Sequence, residues 1–122
     1  MIYVASPYNG DSKELTFINY HNVATFCAEL IATGEVAISP VAYGHNLLTL
    51  AEIPSDWEFW KKFCTDILSR CEKMIVLTLD GWEKSSGVTA EIQIAKKLGI
   101  PIIYARNFQD YKTKIHESHQ TE

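Results

Sequence analysis

The chain has no excess of positive charge, no paired cysteines, no glycine-rich phosphate loop and no hydrophobic run of membrane-spanning length. Its 11 Lys and Arg stand against 15 Asp and Glu, a net charge of −4. The basic face that holds a nucleic-acid polymer is therefore not expected. A single nucleotide stays compatible with that balance, because backbone amides and a few hydroxyls can hold one phosphate. The three cysteines, Cys27, Cys64 and Cys71, are odd in number and form no C-x-x-C pair. That excludes a disulfide framework and fits thiols used as small core residues in a reducing cytoplasm. No metal or organic cofactor is expected, since a zinc site needs about four ligands at closer spacing. His116 and His119 make the one tight histidine pair, in a polar tail without fixed geometry. The longest apolar runs, at 74–77 and 100–103, are far shorter than the ~20 residues of a spanning helix. The first residues enter an apolar run with no basic region, so neither a membrane span nor a signal peptide is expected. Neither G-x-G-x-x-G nor G-x-x-x-x-G-K-[ST] occurs, which leaves a dinucleotide fingerprint and a P-loop without support.

What is present reads as one α/β domain. At 122 residues, 47% hydrophobic and 21% charged, the chain suits a single core without staples. Residues 2–5 are a short apolar run ended by Ser6-Pro7-Tyr8-Asn9-Gly10-Asp11, a strand followed by a turn-rich loop. Asp11 and Glu14 have capping-box spacing, the apolar positions from Leu15 to Ile31 recur helically, and Gly34 stands at a C-cap position, predicting a helix over 13–33. Residues 36–39 predict a second strand stopped by Pro40, and 41–55 has no clear period. Trp57, Trp60, Cys64, Ile67 and Leu68 form a stripe that predicts a helix over 56–70. Residues 73–79 predict a buried strand, 88–98 a helix with Gly99 at its C-cap, and 102–105 a fourth strand. Strands alternating with helices predict an open parallel sheet of four to five strands with flanking helices, flavodoxin-like or Rossmann-like. The domain is expected over 1–106, with 107–122 a last helix or a frayed tail.

Ligands of such sheets collect beyond the carboxyl ends of the strands, here at 6–10, 40–45 and 80–87. Glu91 is the strongest feature near them. At about 100° per residue from Val88 it falls inside the apolar arc of Val88, Ile92, Ala95 and Leu98. A core-facing carboxylate is rare unless it is paired or functional. It reads either as a nucleophile or general base, or as an edge residue satisfied by loop amides. Ser85, Ser86 and Gly87 open the same helix, as an N-cap or as an anion site of hydroxyls and free amides. Tyr3 reads as a core tyrosine, or as one whose hydroxyl reaches a carboxylate such as Glu91 if the first and third strands are neighbours. Asp66, about 180° from Trp57, falls on the polar side of its helix with Lys62 and Ser69. Trp57, Trp60 and Phe63 read as core, with one free to stack on a base. His45 reads as a ligand contact or an ordinary loop residue.

Four pieces taken together resemble the nucleoside 2-deoxyribosyltransferase superfamily, in particular its small bacterial and phage relatives. They are Ile2-Tyr3-Val4-Ala5-Ser6-Pro7-Tyr8, Asp66 ahead of Met74-Ile75-Val76-Leu77, the loop Asp80-Gly81-Trp82, and Ser85-Ser86-Gly87-Val88-Thr89-Ala90-Glu91. The resemblance implies cleavage of the N-glycosidic bond of a nucleoside or nucleotide, with Glu91 as nucleophile. It implies that Tyr3 holds Glu91, that Asp66 serves the base or its protonation, and that Ser6, Pro7 and Tyr8 shape the pocket. Base-exchanging members tend to carry an aspartate where this chain has Ser85. Relatives that hydrolyse nucleoside 5′-monophosphates carry a serine there for the phosphate, which tilts the expectation to an N-glycosidase over a base-exchanging transferase. A non-catalytic nucleotide-binding or sensing domain is the reading from outside enzymology. The family's oligomers, and the little chain left over for a lid, predict a homo-oligomer, dimer or higher.

Overall fold

The computed structural model describes residues 1–121, and the side chains of residues 1–117; the side chain of His119 lies outside that description. The elements follow in the order β1 (Ile2–Ala5), α1 (Lys13–Ala32), β2 (Ala37–Ile38), α2 (Pro40–Gly44), α3 (Leu47–Leu50) and α4 (Trp57–Leu68). Then come β3 (Lys73–Leu77), a 3-10 turn (Trp82–Lys84), α5 (Ser86–Leu98), β4 (Ile102–Ala105) and α6 (Phe108–Thr121). The four strands form one parallel sheet in the order β2-β1-β3-β4, with Tyr3 opposite Met74 and Val76 opposite Tyr104. This is the α/β, flavodoxin-like arrangement that the alternation of elements predicts.

Strand periodicity sorts the core into two layers. Ile2, Val4, Ile75 and Leu77 face Val23, Phe26 and Leu30 of α1 and Tyr111 of α6. Tyr3, Ala5, Met74 and Val76 face Cys64 and Leu68 of α4 and Val88 and Ala95 of α5. Both faces are covered, so β3 is apolar at consecutive positions rather than at every second one. The three thiols are free and buried.

Several boundaries differ from the sequence expectation for local reasons. Ser12, not Asp11, caps α1, its hydroxyl accepting from the Leu15 amide at 3.1 Å. α5 begins at Ser86 because Ser85 caps it. The aperiodic stretch after Pro40 folds as two short helices, α2 and α3, the first capped by Ser39. α6 is a helix whose Tyr111 docks in the core. Among the described residues, no helix is long and apolar enough to cross a membrane.

Candidate active site

The parallel strands place their loops together at one end of the sheet. Beyond the carboxyl ends of all four strands lies a cleft of about 990 Å³. Residues 6–11 after β1, Pro40 after β2, 78–81 after β3 and Arg106 after β4 border it, with Glu91, Cys64, Trp57 and Trp60 from the helices. Between β1 and β3 the chain order reverses, and that is where a doubly wound sheet opens its crevice.

Tyr3 and Glu91 meet at this point. α5 buries Val88, Glu91 and Ala95, one stripe at helical spacing, so Glu91 is only 6% exposed. The Tyr3 hydroxyl, wholly buried on β1, donates to Glu91 Oε2. This contact exists because β1 and β3 are neighbours and α5 packs over Tyr3's face of the sheet. Burial pushes the Glu91 carboxyl up to about 8, and donation from Tyr3 opposes that rise. Burial, and then the charge of Glu91, hold the Tyr3 phenol well above its ordinary value. Tyr3 therefore stays protonated and serves as a donor, while Glu91 exchanges its proton near neutrality.

Cys64 borders the cleft on the same side and packs in the same core layer as Tyr3. Burial pushes its thiol up to about 12, so it is a neutral neighbour of the pair. The sequence shows Cys64 only as an apolar core position. Its place in the α4 stripe with Trp57 and Trp60 is the signal that sets it beside the cleft.

Ser85, Ser86 and Gly87 border the cleft at the first turn of α5. Ser85 is an N-cap, its hydroxyl oxygen accepting from the Val88 amide at 3.2 Å, which leaves its O–H as a donor. The amides of Ser86 and Gly87 precede the first intrahelical bond, at the positive end of the helix. Ser6 and Pro7 are buried and Tyr8 half-buried along the β1 loop. The Tyr8 hydroxyl is 2.8 Å from His45 Nδ1, and Tyr20 stacks on the His45 ring at 3.9 Å between centroids. Tyr8 and His45 thus form a joined part of the cleft wall. Trp60 is half-buried against the core, its indole N–H donating to the Pro54 carbonyl at 2.8 Å. Phe63 stacks on Tyr43.

Asp66 is the site residue that the structure does not bring in. Its side chain is 66% exposed, is paired at 3.6 Å with Arg70, and borders no part of the cleft. α4 turns Cys64 and Leu68 to the sheet. Asp66 lies half a turn from each and so faces outward. Within one chain it stands outside the cleft that Glu91 borders. The cleft's other carboxylates are Asp11, Asp56 and Asp80, and its cations are Lys84 and Arg106. Asp56 caps α4 by accepting from the Phe59 amide at 3.3 Å, and Arg106 leans on Asp110 at 3.5 Å. No cluster of metal-ligating side chains occurs among the described residues.

Compared with known proteins, residues 1–106 match the family described as "Domain of unknown function (DUF1937)". No curated protein matches the chain.

Proposed function

The chain belongs to the DUF1937 family, and we propose that it cleaves the N-glycosidic bond of a nucleoside 5′-monophosphate or nucleoside through a covalent glycosyl-glutamate. The observation that carries this reading is the buried Tyr3–Glu91 hydrogen bond in the cleft beyond the strand ends. A carboxylate that is costly to bury, held by a donor and bordering a cleft, is the arrangement of an activated nucleophile.

In the proposed reaction a Glu91 carboxylate oxygen attacks the anomeric carbon through an oxocarbenium-like transition state. The C–N bond breaks and its electron pair leaves with the base. Water, giving one proton to the carboxylate that protonated the base, then attacks the same carbon, breaking the glycosyl–Glu91 bond, releasing the sugar and restoring Glu91. Two displacements retain the anomeric configuration. Tyr3 orients the carboxylate and eases its ionisation. Ser85, Ser86, Gly87 and the first-turn amides of α5 suit a 5′-phosphate. The acid we assign to the departing base is Asp80, in the loop after β3 that borders the same cleft. The setting we propose is a cytoplasmic homo-oligomer. The exposed apolar side chains Leu15, Phe17, Ile18 and Leu50 support such an assembly.

Incubation with a panel of nucleoside monophosphates and nucleosides, followed by chromatography for free base, tests the reading. Base and free sugar phosphate are expected from at least one monophosphate. Incorporation of an added second base would instead mark a transferase. No base release from any substrate, with or without phosphate, overturns the proposal.

A further inference from the structure

Among the described residues, Ser6 Oγ is the one buried side-chain polar atom without a hydrogen-bond partner in the protein. Ser6 is 5% exposed and borders the cleft. A buried hydroxyl left unpaired costs about 1–3 kcal/mol, so its retention at the cleft needs a cause. Ser86, on the cleft rim, is exposed to solvent, and three other serines near the site are engaged. Ser85 accepts from Val88, Ser39 from Ala42 at 3.0 Å, and Ser55 donates to Asn9 Oδ1 at 3.4 Å.

Ser6 makes none of the usual local bonds. Serine hydroxyls commonly bond a backbone amide two positions on, but here the Tyr8 amide makes no bond to Ser6 Oγ, and Pro7 between them offers no N–H. Pro7 also confines Ser6 to extended backbone. The loop beyond is pinned from outside itself. Asn19 Nδ2 donates to the Tyr8 carbonyl at 3.1 Å, Asn9 Nδ2 to the Ser55 carbonyl at 3.3 Å, and the Gly10 amide to Thr16 Oγ1 at 2.9 Å. Ser6 is thus held in a fixed, buried position with an O–H to donate and lone pairs to accept.

We propose that Ser6 hydrogen-bonds a hydroxyl of the substrate's sugar, an assignment that rests on the glycosidic reading above. Glu91 must meet the anomeric carbon, and the first turn of α5 suits the phosphate. The sugar ring spans the distance between them and is what faces the end of β1, three residues beyond Tyr3. A neutral hydroxyl that can both donate and accept matches a sugar hydroxyl. It matches a phosphate poorly, for the cleft's cations, Lys84 and Arg106, are exposed on the loops after β3 and β4.

Calorimetric titration of the wild type and Ser6→Ala with ribose 5-phosphate, 2-deoxyribose 5-phosphate and inorganic phosphate tests this without requiring turnover. Loss of one neutral hydrogen bond predicts that Ser6→Ala binds at least one sugar phosphate about 2–13-fold more weakly. Affinity for inorganic phosphate should not change. Removing an unpaired buried hydroxyl should leave the melting temperature equal or raised, which separates lost binding from lost folding. Unchanged affinity for both sugar phosphates overturns the role of Ser6 while leaving the glycosidic reading standing. Equal losses for inorganic phosphate overturn it in favour of a phosphate contact. Failure of the wild type to bind either sugar phosphate also overturns the role of Ser6, and the glycosidic reading then stands or falls on base release alone.

Discussion

Tyr3 of β1 and Glu91 of α5 stand 88 positions apart in the chain and share one buried hydrogen bond. That bond joins a residue whose strand neighbours fix it from below to one whose helix carries it over the sheet. Burial raises the carboxyl and the phenolic donor restrains the rise, so the pair sets the protonation state on which catalysis would depend.

Tyr3→Phe removes the donor and keeps the ring. Loss of a hydrogen bond to a charged group, about 1.5–3 kcal/mol, moves the Glu91 carboxyl a further 1–2 units upward, roughly. The rising limb of kcat/KM against pH should shift to higher pH by that amount, and the rate at pH 7 should fall about 10–100-fold. A pH–rate profile of both proteins checks it. An unshifted limb would separate Tyr3 from the ionisation of Glu91.

Glu91→Gln should change how stability depends on pH. From about 4.5, the ordinary value, to about 8, the folded value, the native protein keeps a proton that the unfolded chain releases. The contribution of the protonated carboxyl is complete below the lower value. It is lost as pH rises, at about 1.4 kcal/mol per unit, and levels off above the upper value. Glu91→Gln should lack this decline and be the more stable protein by a few kcal/mol at pH 8, on the order of. Denaturant titrations at pH 5, 7 and 8.5 would show it, and parallel curves for the two proteins would contradict the burial cost.

Asp66→Ala should matter little. Exposed ion pairs at i,i+4 contribute about 0.3–0.5 kcal/mol, and the side chain faces away from the cleft. Base release should stay within about twofold of the wild type. A loss of 100-fold or more would place Asp66 in a site completed by a second subunit.

Gly44→Ala probes the cleft wall. A Cβ there would stand 2.9 Å from Trp60 Cη2, and the indole is tied to the Pro54 carbonyl at 2.8 Å. The crowding should destabilise the fold by about 1–3 kcal/mol and weaken ligand binding, measured by thermal melts and titration. A variant as stable as the wild type would mean that Trp60 yields freely.

How much of this is legible in the sequence depends on the range of the interaction. The stripe of Val88, Glu91 and Ala95 is a local period, so the burial of Glu91 can be read from α5 alone. The outward position of Asp66 is legible in the same way, from its place on the polar side of α4. That Tyr3 reaches Glu91 needs β1 beside β3, a tertiary pairing that residue patterns alone do not specify. The junction of Tyr8, His45 and Tyr20 is of the same kind, assembled from the β1 loop, the turn after α2 and helix α1. The two short helices after Pro40 escape prediction because each is too brief to show a period. Ser6 is legible only as a pocket residue that the resemblance implies, since an unpaired hydroxyl is defined by partners absent in three dimensions.

The nucleophilic role of Glu91 is the central claim, and mass spectrometry of protein quenched during turnover of a cleaved substrate tests it most directly. An adduct of the sugar's mass, mapped by proteolysis to the peptide containing Glu91 and absent from Glu91→Gln, is the result predicted. Base release by Glu91→Gln at the wild-type rate, with no adduct on the wild type at any quench time, would contradict it.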